Sequence, residues 1–428
     1  MQNVGRDIMD WSERLAKYSE PEWADKHQLT CTYLTPAHIQ TAEEIKALMH
    51  EAGFDDVSMD AVGNIIGIYR ADTTLKSTGS STAAVKTLLT GSHYDTVRNG
   101  GKYDGRLGIL IPIACVAELV RQGRRLPFDF EVVGFSEEEG QRFRATFLAS
   151  GALTGDFDPA WLDQQDADGV TMRQAMHAAG LPGDMSQIAQ LKRDPARYLG
   201  FVEAHIEQGP ILCEGELPLG VVTSINAGVR VTCKITGLAA HAGTTPMRMR
   251  QDALLAAAEI SLMAESRALQ DDGSVATVGQ MQVPGGSINV IPGECVFTLD
   301  MRAPFDDQRD ALVQDILDQA QIIAARRQVR FEFNEVMRAA AAPSDPTLQA
   351  RWEHAVQSVG QIVFKLNSGA GHDAMKLHTI MPQAMLFVRG GNRGISHNPL
   401  EIISEADARL AARAFLALLD DLQTHPLA

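Results

Sequence analysis

Apolar positions along the chain change period as the sequence is read from its start. From about residue 5 to 52 they recur at the spacing of amphipathic helices, interrupted by the turn-rich LTPAH at 34–38. Short apolar runs then alternate with helical stretches. AVGNIIGIYR (61–70) reads as a strand pair around a Gly turn, and STGSSTAA (77–84) as a polar loop. VKTLLT (85–90) reads as a buried strand running into GSH, RLGILIPIACVAELVRQ (106–122) as a buried helix, and FDFEVVGF (128–135) as another strand. Strands separated by helices predict an α/β fold with a mainly parallel sheet.

The period shifts after about residue 225. VRVTCKITGLAAH (229–241) alternates as a long strand, and DALLAAAEISLMAESRAL (252–269) is helical with a cap signal at Asp252. VATVGQMQV and ECVFTLDMRA read as strands around a PGGS turn, QRDALVQDILDQAQIIAARR as a second helix, and VRFEFNEV as a further strand. Long alternating strands with two helices predict a separate α+β domain, an antiparallel sheet with helices on one side. RAAAAPSDP (338–346) reads as the return linker, after which α/β character resumes. The expected organisation is a domain over 1–224 and 339–428 with a second domain, 225–338, inserted into it.

Composition narrows the function classes. The chain has 428 residues, enough for two or three domains, with the apolar and charged fractions of an ordinary globular protein. A formal net charge of −16 argues against nucleic-acid or anionic-membrane partners, which select basic surfaces. The five cysteines (Cys31, Cys115, Cys213, Cys233, Cys295) are scattered and never spaced CxxC, so buried free thiols are expected. The first twenty residues lack a basic segment followed by an apolar stretch. No leader is expected, and the cytoplasm is the expected compartment.

Four segments share one design, an apolar strand running into a loop that carries His, Asp or Glu: LLTGSHYDTV, EVVGFSEEEG, GFVEAHIEQGP and LFVRGGNRGISHNP. In open α/β sheets, sites form beyond the carboxyl ends of strands, where such loops converge. His93 and Asp95 sit two apart, and Asp95 is placed to hold the second ring nitrogen of a metal-bound imidazole. Asp104, in a Gly-flanked turn, can offer one oxygen to each of two ions. The HxD spacing alone equally suits a surface loop. The run Glu137-Glu138-Glu139 after a buried strand is costly unless a cation or solvent compensates; a solvated acidic turn is the commoner meaning of such a run, but the preceding GF favours an interior, functional position. His205 ends a strand with Glu203 and Glu207 at alternate positions; it and His397 each also fit a structural role. His241 in AHAGTTP and His372 in GAGHDAM sit among small residues that permit close approach. The remaining histidines lie in helical or terminal polar settings. Together the loops supply a mixed His/Asp/Glu set suited to zinc-like ions.

At these residues the chain resembles the hydantoinase/carbamoylase branch of the dinuclear amidohydrolases related to the M20 metallopeptidases. The matching stretches are GSHYDTVRNGGKYDG, SEEEGQRF, EAHIEQGP, AHAGTTPM, GGSINVIPG with LDMR, SGAGHDAM and GISHNPLE, in family order. The resemblance implies two divalent ions, zinc by default with manganese, cobalt or nickel as alternatives. It implies that His93, Asp104 and His205 hold one ion and Asp104, Glu139 and His397 the other, with Glu138 as general base and Asp95 orienting His93. It places substrate binding on Gln208, His241, Asn289 and Arg302, with His372 close by. His205, where peptidase relatives tend to carry Asp, favours the ureide branch. RFRATFLASGALTG departs from the pattern at Arg144 and Ala149, where relatives more often show Gly or Pro and Gly.

The implied reaction is cleavage of a ureido C–N bond in a small carboxylate-bearing ureide, an N-carbamoyl-L-amino acid or allantoate, releasing ammonia and CO2. Two adjacent cations acidify a shared water toward a pKa of about 7 and polarise the carbonyl, yielding a bridging hydroxide as nucleophile. His241 is a candidate donor to the oxyanion, and Arg302 a bidentate clamp for the substrate carboxylate. The inserted domain is expected to act as lid and, from the resemblance, as the contact of a homodimer. The alternatives are an aminoacylase or dipeptidase of the related peptidase branch, and a non-catalytic metal-dependent binding protein.

Overall fold

The computed structural model describes residues 3–72 and 85–427, so the polar loop expected at 77–84 lies outside the described residues. The chain divides into two compact units. One comprises Met1–Thr223, Ser344–Leu366 and His372–Ala428, the other Ser224–Pro343 and Asn367–Gly371.

The first unit is built on a mixed sheet. Its strands run, in spatial order, Asp56–Met59, Ile65–Tyr69, Asp129–Phe135, Thr87–His93, Tyr198–Ile206, Gln383–Val388 and Leu219–Ile225. The four from Asp129–Phe135 to Gln383–Val388 are mutually parallel. The flanking pairs are antiparallel, so parallel pairing is confined to the centre. One flank is a hairpin, a connection short enough only for antiparallel strands. Its first strand is Asp56–Met59 rather than part of AVGN. Asp60 Oδ1 accepts the backbone N–H of both Val62 and Asn64 at 3.0 Å, which closes 60–64 as the turn.

The Thr87–His93 strand is buried at every position, as a strand covered on both faces must be. Helices Val4–Ala16, Arg106–Arg121, Pro346–Ser358 and Glu405–Thr424 share one apolar core with the sheet, through Ile8, Leu110, Trp352 and Phe415 packed with Val202 and Leu386. The N-terminal helical region is broken into Val4–Ala16, Pro21–Ala24 and Pro36–Ala52, the last capped by Thr35. Because the central strands point the same way, His93, His205 and the loops after Phe135 and Val388 all emerge at one edge of the sheet.

The second unit is an antiparallel sheet in the order Met281–Gln282, Glu294–Ala303, Ala227–Thr236, Arg330–Ala339, with Val275–Thr277 also on Glu294–Ala303. Glu294–Ala303 alternates strictly, so Cys295, Phe297, Leu299 and Met301 face the helices Ala253–Ala268 and Asp306–Arg326. Asp300 and Arg302 therefore stand on the opposite face.

Among the described residues, no helix is long and apolar enough to cross a membrane. All five cysteines are free thiols, four of them buried and Cys213 half-buried.

The Asp252 carboxylate accepts the Leu255 N–H at 3.0 Å and caps the Ala253–Ala268 helix. Asp252→Ala is expected to lower stability by about 1 kcal/mol in denaturant unfolding, the usual worth of such a cap. An unchanged midpoint would show that the cap contributes nothing.

Candidate active site

The edge where the central strands end gathers the predicted ligands. His93 is the last residue of its strand and His205 the penultimate residue of the next. Glu137, Glu138 and Glu139 follow the Asp129–Phe135 strand after Ser136. His397 arrives on the loop after Gln383–Val388, in a left-handed backbone conformation (φ 52°) that turns its ring back toward the cluster.

Asp104 is the centre of the arrangement. Its Oδ1 lies 3.6 Å from His93 Nε2 and 3.4 Å from His205 Nε2. Its Oδ2 lies 3.1 Å from His397 Nε2, which is in turn 3.4 Å from Glu139 Oε1. The candidate ligand atoms thus form two groups, His93 with Asp104 and His205, and Asp104 with Glu139 and His397, each within 4.8 Å. Glu138 forms a further such group with His93 and Glu139. The position of Asp104 depends on Gly105, whose φ is +66° and where an added Cβ would overlap the carbonyl and ring of His93.

The surrounding hydrogen bonds aim these side chains. His93 Nδ1 is 3.3 Å from Asp95 Oδ1, which leaves Nε2 toward Asp104. The two Asp95 oxygens also accept the N–H groups of Glu138 and Glu139, each at 3.1 Å, so one carboxylate holds both the imidazole and the acidic loop. His205 Nδ1 bonds the Ile206 carbonyl at 2.9 Å, placing its proton there and the lone pair on Nε2.

Electrostatics fit a cation-binding purpose. Burial alone would push the Asp104 carboxyl up, but His397, His93 and His205 outweigh it and hold it well below the usual range. His397 is pushed up to about 9, chiefly by its hydrogen bond to Asp104. Burial and then Asp104 raise Glu139 to about 7. Burial, with the like charges of Glu139, Asp373 and Asp95, lifts Glu138 well above the carboxylate range. Burial lowers His205 to about 4. Glutamates raised by burial, with His397 raised against Asp104 and His205 lowered, mark a place short of positive charge, which suits imidazole and carboxylate donors to divalent ions.

Gln208 sits at the same cluster. Its Nε2 is 3.0 Å from each Asp104 oxygen and 3.4 Å from His397 Nε2, while its Oε1 is buried with no hydrogen-bond partner among the described residues. His372 is 2% exposed, and its ring lies T-shaped against that of His205 at 4.5 Å. His241, Asn289 and Arg302 belong to the second unit. There His241 pairs with Val290 across a two-strand ladder, and Asn289 accepts a hydrogen bond from Ser287 Oγ at 3.0 Å. His241 Nδ1 accepts the Gly243 N–H at 3.1 Å, which directs its proton to Nε2. The Arg302 guanidinium is gripped bidentately by Asp300, at 2.9 Å twice, and donates to the Gly369 carbonyl. That leaves one N–H on each terminal nitrogen for a ligand. Arg144 is exposed with φ 54°, a conformation glycine adopts without strain, and Ala149 is buried in the Leu148–Thr154 helix.

Sequence reasoning gave no role to three buried acids at the site. Glu203 accepts from Ser92 Oγ at 2.7 Å and from the Ala374 N–H at 3.3 Å; its place two before His205, on the same strand face, was the signal. Asp373 lies next to His372 and is pushed up to about 7 by burial. Glu401 accepts the N–H groups of Tyr103 and Asp104; as the last residue of the family-like stretch GISHNPLE it was within a recognised motif but had no role read for it.

Comparisons with known proteins give the chain its family. Residues 89–421 match the profile of Peptidase family M20/M25/M40. An N-carbamoyl-L-amino acid amidohydrolase of Geobacillus stearothermophilus is 38% identical over 87% of this chain and 89% of its own length. An allantoate deiminase of Arabidopsis thaliana is 37% identical over 91% of this chain and 78% of its own. Among solved structures, a hydantoinase/carbamoylase family amidase from Burkholderia multivorans superposes with a TM-score of 0.87 at 30% identity, covering 99% of this chain and 98% of that one. The chain therefore belongs to Peptidase family M20/M25/M40, among its hydantoinase/carbamoylase amidases, and is a hydrolase of non-peptide C–N bonds.

Proposed function

We propose that the substrate is a small carboxylate-bearing ureide, an N-carbamoyl-L-amino acid or allantoate, hydrolysed at a centre of two divalent cations. One cation is held by His93, Asp104 and His205, the other by Asp104, Glu139 and His397. The observation that carries this reading is the split presentation of Asp104, one oxygen toward each set of imidazoles. Zinc suits the donor set, and manganese, cobalt or nickel can take the same ligands.

When bound, the cations supply Lewis acidity, lowering the pKa of water and polarising the ureido carbonyl. The residues do the rest. Glu138, with its backbone anchored by Asp95, takes a proton from the attacking water and returns it to the departing nitrogen. The water oxygen bonds to the ureido carbon as a C–N bond breaks, and the carbamic acid formed loses CO2. The sum is R–NH–CO–NH2 plus water giving R–NH2, ammonia and CO2. His241, with its proton on Nε2, is the donor to the developing oxyanion. Arg302, pre-oriented by Asp300, clamps the substrate carboxylate. Gln208 and Asn289 complete the polar contacts, and His372 supports the ring of His205.

Ammonia release from metal-loaded protein, measured across allantoate, N-carbamoyl-L-amino acids and N-carbamoyl-β-alanine, tests the substrate class. Turnover of one of these is expected. Hydrolysis of N-acetyl-amino acids or dipeptides with every ureide untouched would select the aminoacylase or dipeptidase reading instead. Glu138→Gln is expected to lower kcat by roughly 10²–10⁴-fold with metal content retained. An unchanged kcat would remove Glu138 from the proton transfers. Arg302→Lys keeps the charge but loses the fork, and should lower kcat/KM by about tenfold or more, mostly through KM. Equal kinetics of the two proteins would refute the clamp.

A further inference from the structure

Asp104 and His397 lie on loops far apart in the chain, yet they must stay in register if each is to face a shared ion. One buried side chain touches both loops. Glu401, 3% exposed, accepts the backbone N–H of Tyr103 at 2.8 Å and of Asp104 at 3.1 Å through Oε1. Through Oε2 it accepts the Ser396 hydroxyl at 2.6 Å, and Ser396 is the neighbour of His397. The same hydroxyl lies 3.3 Å from Asp104 Oδ2, which closes a ring of contacts from one loop to the other. The backbone of the first loop is shaped to admit this carboxylate. A Cβ on Gly101 would overlap the Glu401 carboxyl group and Cβ, so the glycine leaves the space that Glu401 fills.

We propose that Glu401 is a positioning residue that fixes the Asp104 loop against the His397 loop, and so sets the affinity of the centre for its cations. The inference rests on the reading above that Asp104 and His397 are ligands. Its physical basis is general. A carboxylate buried so close to another acid is costly unless donors converge on it. Three donors converging on it offset that cost and make the loop geometry rigid. Partners of this kind, which hold ligands without touching the metal, typically change affinity or activity by 10–100-fold when removed.

The test is calorimetric titration of cobalt(II) into metal-free protein, with the visible spectrum of the bound cobalt as a second readout. Glu401→Ala is expected to weaken binding by about 10–100-fold and to alter the cobalt spectrum. Gly101→Ala attacks the same contact from the other side by expelling the flexible carboxyl end, and should weaken binding to a similar degree. Glu401→Gln retains an oxygen for the Tyr103 and Asp104 N–H groups, so its affinity should return toward wild type. Should Glu401→Ala not fold, Gly101→Ala and Glu401→Gln decide by the same criterion. Wild-type affinity and spectrum in Gly101→Ala and Glu401→Ala would overturn the proposal, as would a glutamine variant no better than alanine. Failure of the wild-type protein itself to bind cobalt would instead overturn the metal-centre reading on which the proposal stands.

Discussion

The structure depends on one buried carboxylate being made to serve two sides at once. Asp104 is well below the usual carboxylate range only because three imidazoles converge on it, two at one oxygen and one at the other. A charge buried in this way is tolerable only with close partners, and losing a partner leaves an uncompensated charge. Much of the first unit can be understood as the means of supplying them. Parallel central strands bring His93 and His205 to one edge, and Gly105 lets the Asp104 turn lie against His93. Asp95 fastens the acidic loop to the same imidazole.

The same constraint explains why the pocket carries so many acids. Glu138, Glu139, Glu203, Asp373 and Glu401 are all raised, with burial the largest cause in each. In a protein without cations such a cluster would only subtract stability. Divalent ions that bind the folded state alone reverse the balance, and stability then rises with their concentration. Bound cations would also lower the acids again, leaving Glu138 able to accept a proton at neutral pH.

The side chains proposed as ligands could be picked out in the sequence because most stand at or just after the end of an apolar strand, and parallel strands end together. Periodicity likewise marked the Asp252 cap and the inward face of Glu294–Ala303. Features set by long-range contact were not legible. The first hairpin strand fell at Asp56–Met59 because Asp60 closes the turn through its own side chain, a choice that apolar spacing does not record. The antiparallel flanks of the sheet are decided by connection geometry rather than by composition. His38 read as a polar helix residue, yet it is buried with Nε2 on the Ser136 carbonyl at 2.6 Å. Glu401 acts on residues almost three hundred positions away, and the Asp300 grip on Arg302 becomes visible only when both stand on the open face of the sheet.

The most direct test of the account is anomalous X-ray scattering from crystals grown with zinc, recorded on either side of the zinc absorption edge. Two peaks should flank Asp104, one within coordinating distance of its Oδ1, His93 and His205, the other of its Oδ2, Glu139 and His397. A single peak that leaves Asp104 untouched, or no ordered zinc at this strand edge, would contradict the central claim.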